Sequence, residues 1–318
     1  MSYRSFGISL ALFILATTTI WTILFSLQVH LPYVSNGAAV VGHFKRSIAA
    51  KQSDYDNSNI RIAAFGDSRT LAAFNPRVFD ALFAPKVRSY NFGIPGDSQF
   101  MPVLKTLLTS GTHPTHILLQ YLPMDPVVED SWRKILKDDK LIVNTLFPFR
   151  NFVRDLFLFV SESRSDGGLL AHYRSNRDQI EKLEKDRGYY FIKSQSHYAG
   201  NRLPDGYSLP TDRPTQVLER YLNTSNNGFV ELTSLANKYE LQIFVVPTAV
   251  RPGELAVPPE EDKSLSDRLK SFPQIHVVGP AYWIFELKYF SDPVHLNPDG
   301  AAVYSKRLAD LLKPEFGN

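Results

Sequence analysis

Two patterns of hydrophobic and polar positions divide the chain. From Phe6 to Val29 the residues FGISLALFILATTTIWTILFSLQV carry no charge. At about 1.5 Å rise per residue such a helix crosses a hydrocarbon layer of roughly 30 Å. The apolar core of a cleaved signal peptide is shorter, about 7–15 residues, and ends at small residues. Here the run continues into Gln28-Val29-His30, so a retained single-pass anchor is the expectation for residues 1–32. Only Arg4 and the amino terminus precede it. A short tail inside and a large domain outside is the usual arrangement, which places the rest of the chain in the periplasm or at the cell exterior, held by the cell inner membrane.

Residues 33–58 are mixed and polar, including Lys51-Gln52-Ser53-Asp54-Tyr55-Asp56-Asn57, and read as a stalk. Short apolar runs of β type then alternate with helical patterns. Strands are expected at 60–65 (IRIAAF), 87–92, 117–122, 241–246 and 275–278. Runs that are apolar on both faces and joined by helices indicate a parallel sheet covered on both sides. Helices are expected at 77–82, 101–109, 229–239 and 299–312, the last opened by Asn297-Pro298. The alternation lapses at about 127–214, which reads as an insert holding an aromatic helix near 147–160 and a charged helix near 176–187. The expected fold is three-layer α/β/α with a central, mostly parallel sheet over residues 59–318, preceded by the anchor.

Composition narrows the chemistry. The 318 residues contain no cysteine, which removes disulfides, thiolate metal sites and a cysteine nucleophile. The net charge of +3 comes from basic residues scattered along the chain, so no nucleic-acid partner is expected. No phosphate-cradling loop and no dinucleotide glycine fingerprint is present, and no cofactor is expected. His113-Pro114-Thr115-His116 could pair two imidazoles on a metal, but no nearby carboxylate or thiolate completes a site. The insert aromatics Tyr189, Tyr190, Phe191, Tyr198 and Tyr207 read as a small satellite core in preference to a sugar-stacking groove.

The first apolar strand ends in Gly66-Asp67-Ser68-Arg69-Thr70. Open α/β sheets build their sites at this carboxyl edge, and a serine there becomes a nucleophile once a base is in reach. Taken alone, Ser68 is as well explained as a helix cap. The C-terminal segment Ser291-Asp292-Pro293-Val294-His295-Leu296-Asn297-Pro298-Asp299-Gly300 supplies the missing partners, because an Asp three residues before a His can orient the ring while its other nitrogen takes a proton.

This combination resembles the SGNH (GDSL-like) superfamily of serine ester hydrolases and acyltransferases, in scattered blocks over about residues 60–312. The resemblance implies Ser68 as nucleophile, with Asp292 and His295 completing a triad. The segment Tyr90-Asn91-Phe92-Gly93-Ile94-Pro95-Gly96-Asp97-Ser98 resembles the second block, whose glycine, here Gly96, lends a backbone N–H to the oxyanion hole beside that of Ser68. Of the two GDS triplets the first abuts a continuous strand, so Ser68 and not Ser98 is taken as the nucleophile. The third block departs from the family: Leu122-Pro123-Met124-Asp125 puts Met where the family has an oxyanion-donating Asn. Asn91 or Arg69 is the alternative donor, and Arg69 a substrate-binding candidate. With its N-terminal anchor the chain is similar to the membrane-anchored branch that acetylates exported polysaccharides. That similarity implies an acyl donor and a carbohydrate acceptor as partners, together with a membrane protein that delivers acyl groups. The expected function is O-acetyl transfer to a cell-envelope polysaccharide, the alternatives being a carbohydrate esterase with the same triad and a non-catalytic polysaccharide-binding or assembly module.

Overall fold

The computed structural model describes residues 3–34, 41, 44–45, 48–49, 58–95, 100–109, 113–120, 143, 146–147, 149–165, 167–191, 196–220 and 222–316. The chain divides into two compact units, one of residues 1–43 with 128–180 and the other of 44–127 with 181–318. The segment expected as one insert is thus split: its first part groups with the N-terminal helix and its remainder with the sheet.

In the larger unit, β1 (Ile60–Phe65), β2 (Val87–Asn91), β3 (His116–Leu119), β4 (Gln242–Val245) and β6 (Ile275–Val277) form one sheet in the order β2-β1-β3-β4-β6. Every pairing is parallel. The fold is α/β, as the alternation of apolar runs indicates. Phe65, Leu119, Val245 and Val277 are successive partners in the register, so the chain leaves these four strands along one carboxyl edge. A second sheet, β5 (Thr248–Val250) with β7 (Tyr282–Ile284), was not expected, because each run is only three residues long and Pro247 interrupts the first.

Alternate residues of each strand feed two separate cores. Ile62, Ala64, Leu118 and Phe244 pack with Phe79 of α3 (Pro76–Asp80) and with Tyr304, Leu308 and Leu312 of α9 (Pro298–Phe316). Ala63, Phe65, Ile117, Leu119, Ile243 and Val245 pack with Leu104 and Leu107 of α4 (Met101–Thr109). The same core takes Phe229 and Leu232 of α7 (Asn227–Tyr239) and Leu265 of α8 (Lys263–Leu269). Each of the Leu, Ile, Val and Phe side chains contributes about 1.5–3 kcal/mol on leaving water, and the two-faced burial explains why the last four residues of β1 and the last three of β3 and β4 are all apolar. The chain passes from β1 to β2 through α2 (Ser68–Ala73) and α3. It returns from β2 to β3 through α4 on the other face. The order therefore reverses at β1, the kind of switch point beyond whose carboxyl end open α/β sheets place their sites.

Side-chain caps fix where the helices begin. Asp67 accepts from Arg69 N at 2.8 Å at the start of α2, and Asn75 accepts from Arg77 N at 3.1 Å ahead of Pro76. Ser305 of α9 accepts from Asn75 N at 2.8 Å and donates to Ala73 O at 3.3 Å. The end of α2, the cap of α3 and the middle of α9 are thereby tied together.

The segment expected as a stalk is not wholly free of the domain: Phe44, Lys45 and Ala49 are buried, Ala49 within the core beneath α4. In the smaller unit, α1 (Tyr3–His30) contains a span of 26 residues, Tyr3–Gln28, long and apolar enough to cross a membrane. With it go α5 (Arg150–Glu162) and the first part of α6 (Leu169–Lys185). Val34, Phe149, Phe152 and Phe159 form its small core, against which Trp21, Leu24, Leu31 and Tyr173 pack.

Candidate active site

Ser68 is the first residue of α2, two residues beyond Gly66 at the carboxyl end of β1. Gly66 is required by space: a Cβ there would lie 2.0 Å from Thr70 Oγ1. That hydroxyl donates instead to Gln120 Oε1 at 2.8 Å, Gln120 Nε2 donates to Tyr304 Oη at 3.1 Å, and Tyr304 donates to Pro247 O at 2.8 Å. This buried chain of donors joins α2 and the ends of β3 and β4 to α9. From the other side, Gly93 lies so close that a Cβ would come within 2.6 Å of Leu71 N and 2.9 Å of Asp67 O.

His295 is held by a tight turn before α9. Ser291 N donates to His295 O at 2.9 Å, and Phe290 pairs with Leu296 across the turn. Asn297 accepts from Gly300 N at 2.9 Å to start the helix. Within the turn, Asp292 Oδ2 lies 2.8 Å from His295 Nδ1, while Oδ1 accepts from Val294 N at 2.8 Å and His295 N at 2.9 Å. Burial pushes the Asp292 carboxyl up, but the His295 ring and the two backbone N–H groups together outweigh it and hold the acid below the usual carboxylate range. A carboxylate on Nδ1 fixes the proton there and leaves Nε2 as the accepting nitrogen.

Nε2 of His295 is buried and makes no hydrogen bond, so Ser68 Oγ does not close the third link of the triad. The dyad of Asp292 and His295 is formed, and the serine is brought to the same edge by a shared support. Arg69 reaches Glu254 Oε1 at 3.1 Å and Ala249 O at 3.5 Å. Glu254 Oε2 also accepts from Arg251 N at 3.5 Å, and Arg251 Nε donates to Pro293 O at 3.2 Å. The segment after β5 therefore binds both the residue following Ser68 and the turn that carries His295.

Arg251 was not anticipated from the sequence. It is 2% exposed and forms a two-pronged ion pair with Asp212, with Nη1 to Oδ2 at 2.7 Å and Nη2 to Oδ1. Tyr207 lies against its guanidinium, 5.6 Å from ring centroid to Cζ. Its hydrogen bonds to Asp212 hold that acid below the ordinary range despite some desolvation. The available signal was an arginine and a glutamate, Arg251 and Glu254, placed just past an apolar run at the carboxyl edge.

Asn91 is corrected as an oxyanion donor. Its side-chain amide donates to Thr70 O, Leu71 O and Phe74 O at 2.9, 3.2 and 2.7 Å, and its Oδ1 accepts from Gly93 N at 2.9 Å. The residue closes the end of α2 and has no hydrogen left for a ligand. Beneath it, buried Lys45 donates to Asn91 O and, at 2.5 Å, to Gly188 O; burial lowers its pKa well below the usual value. Gly96, Ser98, Met124 and Asp125 lie outside the described residues. His113 and His116 are bound separately, to Pro114 O at 3.1 Å and Thr115 Oγ1 at 2.7 Å. Among the described residues no group of three or more metal-ligating side chains occurs. Tyr198 and Tyr207 pack 5.8 Å apart against the sheet core.

Comparisons of the chain with protein-family models, with curated proteins and with solved structures each return no significant match.

Proposed function

We infer that the protein is a membrane-anchored serine acyl-ester enzyme of SGNH type, facing the periplasm or cell exterior, that passes an acetyl group to a cell-envelope polysaccharide. The observation that carries this reading is the buried Asp292–His295 pair, with Nδ1 on the carboxylate and Nε2 unpaired, at the same sheet edge as a serine following β1. In the proposed reaction Ser68 Oγ attacks the acyl carbonyl while its proton passes to His295 Nε2, and Asp292 stabilises the imidazolium. The imidazolium then gives that proton to the leaving group. The acyl-Ser68 ester is next attacked by a carbohydrate hydroxyl, whose proton passes to Nε2 and from there to Ser68 Oγ as the bond between the acyl carbon and Oγ breaks, which restores the free serine and the neutral imidazole. Hydrolysis would use the same residues, with water as acceptor. Catalytic hydrogen bonds often close only when substrate is bound, which accommodates the open Ser68–His295 link. Burial of Asn91's amide leaves the backbone N–H groups of Ser68 and Gly96 as the oxyanion donors in this reading.

The open link is also the one observation that favours a second reading, a non-catalytic carbohydrate-binding module on this fold. The two are separated by incubating the full-length protein in detergent with p-nitrophenyl acetate, with and without an oligosaccharide acceptor, and mapping acetylated peptides by mass spectrometry. An acetyl group on the Ser68 peptide, absent in Ser68→Ala and discharged faster by oligosaccharide than by buffer, supports transfer. Discharge at equal rates supports the esterase. No acetylation of the wild-type chain overturns the enzyme reading.

A further inference from the structure

The helix α5 carries two apolar stripes where a helix on the surface of a water-soluble domain carries one. Phe152 and Phe159 face inward into the small core with Trp21 and Leu24 of α1. A second stripe, Val153, Leu156, Phe157 and Val160, recurs at i, i+3, i+4 and i+7 and faces outward, Phe157 being 73% exposed. Arg154 lies on a third arc, its side chain 67% exposed while reaching Asp155 at 2.9 Å.

What covers the outward stripe is indicated by its neighbour. The apolar span of α1 has 26 residues, about 39 Å at 1.5 Å per residue, which exceeds a hydrocarbon core of roughly 30 Å by about six residues. Residues 3–20 of α1 are exposed, whereas Trp21, Leu24 and Gln28 are half-buried on one side. Trp21 Nε1 donates to Leu146 O at 2.7 Å, and its ring lies 5.9 Å from Phe149. Tryptophan prefers the boundary between acyl chains and headgroups. Helix α5 is therefore packed against α1 at the level where the span leaves the hydrocarbon. An amphipathic helix at that level buries its apolar face in the boundary region.

We propose that α5 is a second membrane contact, lying in the lipid interface with Val153, Leu156, Phe157 and Val160 in the acyl region, so that the protein is held by a span and an interfacial helix together. The proposal rests on the reading of α1 as a membrane span, and its test separates the two.

Because the chain has no cysteine, single substitutions label uniquely. Full-length Phe157→Cys and, as the span reference, Leu12→Cys are labelled with an environment-sensitive fluorophore. The labelled proteins are reconstituted into nanodiscs of phosphatidylcholine and phosphatidylglycerol, with nitroxide-labelled lipid or with aqueous iodide as quencher. The expected result is quenching by nitroxide lipid at both positions, at least half as strong at Phe157 as at Leu12, with little effect of iodide. Quenching at Leu12 alone, with Phe157 open to iodide, overturns the interfacial helix and leaves the span intact. Shielding of Phe157 from both quenchers means that a protein face covers the stripe, and likewise overturns it. No lipid quenching at Leu12 removes the span and the proposal with it.

Discussion

Asp292 grips His295 at two points, its Oδ2 at 2.8 Å from the ring Nδ1 and its Oδ1 at 2.9 Å from the backbone N. One carboxylate thus sets both the position of the residue and the proton on its ring. Asp292→Asn keeps an oxygen for the backbone donors of Val294 and His295 but turns an NH2 group toward Nδ1. That arrangement moves the ring proton to Nε2, where it would block the proton transfer from Ser68 that the proposed reaction requires. Acetylation of Ser68 is expected to slow by on the order of 10²–10⁴ with little loss of stability, as measured by stopped-time mass spectrometry and urea unfolding.

Arg251→Ala removes one half of a buried ion pair and leaves Asp212 without its partner. Such single deletions cost about 3–5 kcal/mol. The midpoint of urea unfolding is expected to fall accordingly. Because Pro293 O also loses its donor, acetylation of Ser68 should weaken even in urea-free buffer, where most of the protein is still folded.

Gly93→Ala places a methyl group against the backbone of α2, at 2.6 Å from Leu71 N. The loop or the helix must shift, at a cost of about 1–3 kcal/mol. Since the helix begins with Ser68, the rate of acetylation should drop more than thermal stability does.

His116 supplies a pH dependence of stability. Burial, followed by the charges of His276 and Arg61, lowers its pKa from 6.5 to about 4; the ring stacks on Phe244 and meets Phe316 edge-on. The folded chain therefore holds a neutral imidazole over a range where the unfolded chain takes up a proton. The stability this contributes is complete above pH 6.5 and is lost as pH falls toward 4, by about 1–3 kcal/mol. Urea midpoints measured from pH 7 to pH 4 should show this decline, and His116→Phe should flatten it.

The strands β1, β3 and β4 were legible because their buried stretches are apolar on both faces, and a residue such as Phe65 or Val245 has no solvent side to obscure the signal. The helix start at Asn297-Pro298 and the Asp292–His295 contact were legible for a similar reason: both depend on residues within three positions of each other. What escaped depends on distance along the chain. Asn91 reads as a polar residue at the end of a strand, and only the folded backbone shows three carbonyls waiting for its amide. Arg251 acquires its meaning from Asp212 and Pro293, which lie 39 and 42 residues away. The polar run after Pro32 hid Ala49, a small residue whose burial no local pattern announces.

The bonds from Ser305 to the cap of α3 and to the end of α2 join residues 230 and 232 positions apart. A chain elongating from its N-terminus makes β1 and α2 early and must wait for α9 before the serine-bearing helix receives its final support. Contacts of such separation form slowly, because the intervening loop must first be closed. The final support of the helix that begins with Ser68 is consequently among the last features the nascent chain acquires, and a chain stalled before α9 would carry that helix without it.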